Sequence, residues 1–281
     1  MKRLGQYFLK NQTAIKKIIA ALDIKEGNTI IEIGPGHGEL TLELLKFPIN
    51  LVAIEKDKVF IEDLIKKSEI PARGEARPRR RNPKSETDSN DQNSKLKIIE
   101  GDALKIIKSL ILNLQSDYKL MGNIPYYITG HLLRILSELE NKPELTVLTI
   151  QKEVAERIVA KPPKMNRLAA ITQFWAEPEI VMTLKPNDFD PPPKVDSAIV
   201  KFKLNPNYLS ICDRAYLSNY YKTVKILFQQ PRKTILNNLQ AGLKLSKEEI
   251  LEKLKSIGLT GQERPQDLSI ETIINVSKIF Q

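Results

Sequence analysis

The run TIIEI (29–33) passes without a break into Gly34-Pro35-Gly36-His37-Gly38 and then into a helical stretch at 39–46. That junction constrains the chain more than any other feature. An apolar β run that delivers a glycine-rich turn straight onto a helix opens a strand–helix–strand unit. The rhythm is sustained on both sides. Before it, residues 12–22 place Ile15, Ile18, Ile19 and Leu22 at helical spacing; after it, LVAIE (51–55) leads into a helical segment at 57–67. LKIIE (96–100), YKLMG (118–122) and LTVLTI (145–150) are further short apolar runs, with a helical pattern at 129–140 between the last two. Such alternation predicts an α/β fold with a parallel sheet and helices on both faces. In sheets of this kind ligands bind at the carboxyl ends of the strands.

Past VDSAIVKFKL (195–204) the pattern turns helical to the end, at 213–228, 231–242, 246–257 and 269–279. Gly242 and Gly258 stand where helix C-caps belong, and Ser246 with Glu249 spells a capping box. The expected organisation is therefore a sheet domain over 1–204 and a small all-α domain over 205–281, with the boundary near Asn205–Asn207. Residues 68–95 interrupt the sheet pattern with many Pro, Arg, Ser and Asn and one isoleucine as the only large aliphatic side chain. So little apolar surface cannot offset ordering entropy, which predicts a mobile insertion. Its RPRRR run (77–81) reads either as an RNA contact or as a solvated loop.

The length of 281 residues is enough to bury a core without disulfides or metal. Cys212 stands alone, which excludes a disulfide framework and a cysteine zinc site; His37 and His131 are the only histidines, so no metal is expected. Lys and Arg number 44 against 34 Asp and Glu, a net +10 that points to a polyanionic partner, nucleic acid before membrane. The N-terminal MKRLGQYFLKNQ lacks the apolar core of a signal peptide, and no apolar run approaches a membrane span. A cytoplasmic protein, simplest as a monomer, is expected.

Gly34 and Gly36 can bring the backbone close to a ligand at the strand–helix junction. A dinucleotide fingerprint would need a third glycine where Glu39 stands, and no phosphate-cradling Gly-Lys-Ser/Thr follows. Glu55 ends the next strand and can accept from a ribose diol; Asp102, in EGDAL, can accept from an adenine amino group. Either acid alone also reads as a strand-end cap. Together, at successive strand ends and without a phosphate device, they describe an adenosine binder, with S-adenosylmethionine as the ligand to expect.

After the fourth strand comes Asn123-Ile124-Pro125-Tyr126. Asn-x-Pro is turn chemistry, and a tyrosine beside it can simply pack. The tetrapeptide also fits a reaction. The N6 nitrogen of adenine is a poor nucleophile while its lone pair is delocalised into the ring. Acceptors on its N–H groups, from the Asn123 side-chain oxygen and the Ile124 carbonyl, would pull it toward tetrahedral. Pro125 fixes that backbone, and Tyr126 can stack on the base. Positioning and electrostatics carry such a step without a strong general base.

Seven blocks carry a family resemblance: GQYFL (5–9), IEIGPGHGELT (31–41), GDAL (101–104), GNIPYYI (122–128), QKEVAERI (151–158), FDPPPKVDSAIVKF (189–202) and QQPRKTILNNL (229–239). The chain resembles the ribosomal RNA adenine N6-dimethyltransferases of the bacterial small-subunit (16S) type over nearly its whole length, the insertion excepted. The resemblance implies a Rossmann-like S-adenosylmethionine-dependent methyltransferase sheet with a helical C-terminal RNA-binding domain. It implies donor contacts at Leu9, Gly34, Glu55, Asp102 and Asn123, and at position 7, where the family often has Asn or His and this chain has Tyr7. It also implies that Phe189 faces Tyr126 across the target adenine; read without the family, Phe189 equally well plugs the core.

The substrate so implied is small-subunit rRNA in an immature 30S subunit, with two adjacent adenines of a 3′-terminal hairpin loop each dimethylated. The alternatives are methylation of large-subunit (23S) rRNA, as in the antibiotic-resistance type, and a non-catalytic assembly factor. A target base must leave its stack to react, while the flanking A-form helix is held through phosphates. Arg157, Arg167, Lys194, Arg232 and Lys233 are the candidate phosphate ligands, with Lys2, Arg3 and Lys10 at the N-terminus. Each alone also reads as a solvated surface charge.

Overall fold

A computed structural model describes residues 6–68, 95–114, 116–206, 208 and 214–281. The insertion, apart from its end residues 68 and 95, lies outside the described residues, as do Lys2, Arg3, Cys212 and Asn207.

Nine strands form two sheets among the described residues: β1 (Phe8–Leu9), β2 (Thr29–Ile33), β3 (Asn50–Glu55), β4 (Leu96–Glu100), β5 (Tyr118–Asn123), β6 (Leu145–Gln151), β7 (Ala176–Leu184), β8 (Phe189–Asp190) and β9 (Ser197–Leu204). The large sheet has the order β4-β3-β2-β5-β6-β9-β7, and β1 pairs separately with β8. Five of its strands, β4 through β6, are parallel, as the alternating pattern predicts. The parallel reading stops there. β9 runs antiparallel between β6 and β7. β7 has no clear signal in the sequence because it is an edge strand with a mostly half-exposed pattern and carries Pro178, a residue an edge tolerates.

The connections are helical. α1 (Gln12–Ala21), α2 (Glu39–Leu44), α3 (Lys58–Ser68), α4 (Ala103–Leu112), α5 (Thr129–Glu138), α6 (Lys152–Ile158) and α7 (Arg167–Trp175) belong to the sheet region. β2 sits between β3 and β5, so the winding direction reverses there and a crevice opens above the carboxyl ends of β2 and β5.

Toward the C-terminus lie the helices α8 (Arg214–Leu227), α9 (Ile235–Gly242), α10 (Lys247–Ser256) and α11 (Ile270–Ile279). Both arms of the Ser246–Glu249 capping box form, and Gly258 takes a positive φ of 79° at its helix end. Gly242 does something other than cap. It is the last residue of α9, and a Cβ there would come within 2.5 Å of Ile226 Cγ2, so glycine serves the close approach of two helices. α9 also starts later than its pattern suggests, because 231–233 form a turn before the N-cap Thr234. The division expected after residue 204 falls at the end of β9, yet the core continues across it. One apolar cluster joins Ile31, Leu133 and Trp175 to Tyr220, Leu236 and Val276. Tyr220 stacks on Phe174 at 3.9 Å and its hydroxyl donates to the Ala170 carbonyl at 2.9 Å. Among the described residues no helix is long and apolar enough to cross a membrane.

Candidate active site

A cavity of about 210 Å³ occupies the crevice above β2, β3, β4 and β5, with the segment Gln6–Leu9 lying across it. The candidates Tyr7, Leu9, Gly34, Gly36, Glu55, Asp102, Asn123 and Pro125 all line it. Topology brings them together, since Gly34, Glu55, Asp102 and Asn123 stand at or just past the ends of four neighbouring strands.

Glycine is required in the first turn. Gly34 and Gly36 have φ of 66° and 55°, and a Cβ on Gly36 would meet Phe8 Cε1 at 2.7 Å. Glu55 holds that turn from the next strand. It is 4 % exposed, Oε2 accepts from Gly36 N at 3.1 Å, and Oε1 accepts from Lys56 N and Asp57 N at 2.7 and 2.9 Å. A carboxylate has about four acceptor positions, so the main chain takes three and one on Oε2 remains for an incoming hydroxyl. The sequence suggests a diol as the partner of Glu55; the structure adds that it is a structural acceptor too. Asp102 has a similar double position. Oδ1 caps α4 by accepting from Leu104 N at 3.0 Å, while Oδ2 lies 3.8 Å from Lys56 Nζ.

Charge decides which ligand suits the cavity. Among the described residues, the acids Glu39, Glu55, Asp57 and Asp102 line it against one lysine, Lys56. A phosphate would be repelled, whereas a cationic ligand such as a sulfonium with its ammonium group is favoured. The Glu32 side chain ends in the core. Burial pushes its carboxyl up to about 7; the Thr41 hydroxyl, donating at 2.7 Å, opposes that rise, and Glu39 and Glu55 add to it.

Asn123 closes the crevice on the other side. Its Nδ2 donates to the Tyr7 carbonyl at 2.7 Å. Pro125 opens a 3-10 turn over Tyr126–Ile128 and accepts from Ile128 N at 3.1 Å. Ile124 buries its side chain, which leaves its main chain for any role at the site. Tyr126 stands behind the wall. It is not in the lining; its ring lies 5.4 Å from that of Tyr7 and its hydroxyl is 2.5 Å from Ser197 Oγ.

Phe189, like Ile124 and Tyr126, is a candidate that does not line the cavity. It is 1 % exposed, pairs with Leu9 across the small β1–β8 sheet, and packs among Leu9, Ile15 and Leu184. In this conformation it fills the core, the alternative its sequence context leaves open, because the small sheet turns the FDPPP loop inward. That pairing, with Asn11 Nδ2 on Asp188 Oδ1 at 2.7 Å, ties the N-terminal segment over the site.

Gln6, Phe8, Glu39 and Tyr127 also line the cavity without standing out in the sequence as site residues. Tyr127 is 70 % exposed at its rim, and its place directly after Tyr126 is the available signal. Phe8 packs with His37 and Phe60, at 4.4 and 5.3 Å between ring centroids, a meeting of three distant segments that sequence spacing does not reveal.

The basic candidates are all exposed: Lys10, Arg157, Arg167, Lys194, Arg232 and Lys233. None forms an ion pair with a described residue. Asn166 Nδ2 donates to the Arg157 carbonyl at 2.8 Å, which brings the end of α6 to the start of α7 and so Arg157 near Arg167. The turn bearing Arg232 and Lys233 is held from beneath by buried Asn238. Its Oδ1 accepts from Gln230 N at 3.0 Å, and its Nδ2 donates to the carbonyls of Gln230 and Thr234, each at 3.1 Å.

Comparison with known proteins gives this arrangement its place. Residues 1–281 match the family described as ribosomal RNA adenine dimethylase. A ribosomal RNA small subunit methyltransferase A of Dehalococcoides mccartyi is 37 % identical over 270 residues, covering 96 % of this chain and 84 % of that protein. Its counterpart in Clostridium acetobutylicum is 33 % identical over 274 residues, covering 96 % and 90 %. In fold, the chain is similar to a dimethyladenosine transferase from Plasmodium falciparum, with TM-score 0.73, 24 % identity and coverage of 96 % and 95 %. It is similar also to the 23S rRNA methyltransferase ErmE, with TM-score 0.70, 21 % identity and coverage of 97 % and 98 %. The chain belongs to the ribosomal RNA adenine dimethylase family and is a methyltransferase.

Proposed function

We propose that this chain uses S-adenosylmethionine to dimethylate N6 of two adjacent adenines in the 3′-terminal hairpin loop of small-subunit (16S) rRNA, acting as a monomer in the cytoplasm during small-subunit assembly. The observation that carries the reading is the Asn123–Tyr7 bond. It commits the amide nitrogen to a carbonyl and leaves Oδ1 as the acceptor for an exocyclic amine, the one atom the reaction needs there. Gly34 and Gly36 would let the main chain approach the donor, Glu55 Oε2 would accept from its ribose, and Asp102 Oδ2 from its adenine amino group. The bound donor supplies a methyl carbon activated by a sulfonium, and the acidic lining favours that cation. Asn123 Oδ1 and the Ile124 carbonyl hold the amine with its lone pair freed from the ring, and Tyr126 steadies the base. Taking up that carbon would break its bond to sulfur and leave S-adenosylhomocysteine as a neutral thioether, and the alkylated nitrogen would lose a proton to water.

The helical region 205–281 would extend the RNA surface through Arg232 and Lys233, with Arg157, Arg167, Lys194 and Lys10 on the sheet region. The names of the relatives at 33–37 % identity support the small-subunit substrate. The test is incubation of the protein and labelled methyl donor with isolated, under-methylated small and large subunits, followed by mapping of the modified nucleotides. Label on two adjacent adenines near the 3′ end of the small-subunit RNA is the expected result. Label on large-subunit RNA, or binding without transfer, would replace the proposal with one of the two alternatives.

A further inference from the structure

We infer that Ser197 is a positioning residue that fixes the Tyr126 ring against the target base through its hydroxyl. The inference rests on the proposed role of Tyr126 in steadying that base. Ser197 is the first residue of β9, the antiparallel strand, and is fully buried. Its register partners are Gln151 at the end of β6 and Leu184 at the end of β7, so both neighbouring strands fix where Oγ stands. Tyr126 lies on a three-residue 3-10 turn directly after Pro125, with no side-chain cap and no strand to hold it. Such a turn cannot by itself set the angle of a tyrosine ring. The 2.5 Å contact between the Tyr126 hydroxyl and Ser197 Oγ supplies the missing restraint.

The ring is thereby gripped at two places. Ser197 holds the phenol oxygen, and the Tyr7 ring lies 5.4 Å away at an interplanar angle of 31°. The residue that offers this second contact also offers the carbonyl that orients the Asn123 amide. The base-steadying ring and the amine-holding amide are thus referred to one frame, with Ser197 at its far end. Burial raises the Tyr126 pKa, so the phenol stays neutral and can share a proton with the serine. Ser197 touches neither the cavity nor the proposed position of the reacting atoms, and its effect must pass through Tyr126.

A double-mutant cycle on the full-length protein tests this. Ser197→Ala and Tyr126→Phe delete the same bond from opposite ends. Each is expected to lower kcat by roughly tenfold, a factor within the range set by one ordinary hydrogen bond. Donor affinity, measured by calorimetry, is expected to be unchanged in both. The double variant should be no slower than the slower single variant. Tyr126→Phe leaves β9 intact, so the cycle can be read from that side if Ser197→Ala folds poorly. Additive effects in the double variant, or full turnover in Ser197→Ala and Tyr126→Phe while Tyr126→Ala is inactive, would overturn the inference alone. Full turnover in Tyr126→Ala would overturn the role of the ring, and with it the inference.

Discussion

Asn123 Nδ2 and the main-chain carbonyl of Tyr7 are 2.7 Å apart, a contact across 116 positions of sequence. A carbonyl only accepts, so this bond fixes which way the amide faces. The Tyr7 side chain is not part of the bond, so the contact does not depend on which side chain stands at position 7.

Glu55 carries two loads, and its removal is expected to show both. Glu55→Ala should weaken S-adenosylmethionine binding by about 1–3 kcal/mol, the range for losing a buried charged acceptor. It should also lower the melting temperature of the free protein, because Gly36 N, Lys56 N and Asp57 N are left without their acceptor. Titration calorimetry and a thermal melt check the two effects separately. An unchanged donor affinity would leave Glu55 with its structural role only.

Glu32 gives the stability a pH dependence of known sign. Its carboxyl is raised to about 7 in the folded protein by burial, against an ordinary value of 4.5. Between those values the folded state holds a proton that the unfolded state has released, so this group lowers stability as pH rises through that window. The full effect above it is about 3 kcal/mol, taking roughly 1.4 kcal/mol per unit. Glu32→Gln keeps an acceptor for Thr41 and removes the titration. Denaturant melts of both free proteins from about pH 5 to about pH 8 are expected to show the variant gaining on the wild type. A stability difference that does not change with pH would contradict the assignment.

RNA binding is expected to depend steeply on salt. If Arg232 and Lys233 each neutralise a phosphate, Arg232→Ala/Lys233→Ala should flatten the log–log salt slope by about 0.7–0.9 for each phosphate no longer neutralised. The turn's support from Asn238 makes a second variant informative. Asn238→Ala should weaken RNA binding with both basic side chains still present. Filter binding across a salt series checks both, and an unaltered slope in the first variant would remove the turn from the RNA surface.

Much of the fold is legible in the sequence because its strongest signals are local. β2, β5 and β6 begin where their apolar runs begin, since a strand buried on both faces needs a near-continuous run of such residues. β7 is not legible, because an edge strand has a weaker pattern and its partner is chosen by the return of β9. The site divides in the same way. Gly34, Glu55, Asp102 and Asn123 sit at strand ends and can be nominated from order alone. The Tyr7 carbonyl, the Ser197 hydroxyl and the inward turn of Phe189 depend on segments that meet only in three dimensions. No periodicity encodes those meetings.

In the proposed reaction Asn123 acts on the amine in the transition state and not on the donor in the ground state. The most direct test of this is single-turnover methyl transfer by Asn123→Ala, with labelled S-adenosylmethionine at saturation and under-methylated small subunits as substrate. Donor affinity would be titrated on the same preparation. The expected result is a donor dissociation constant within a few-fold of wild type alongside a transfer rate lower by about two orders of magnitude or more. Near-normal transfer by the variant would show that Asn123 does not act on the reacting amine.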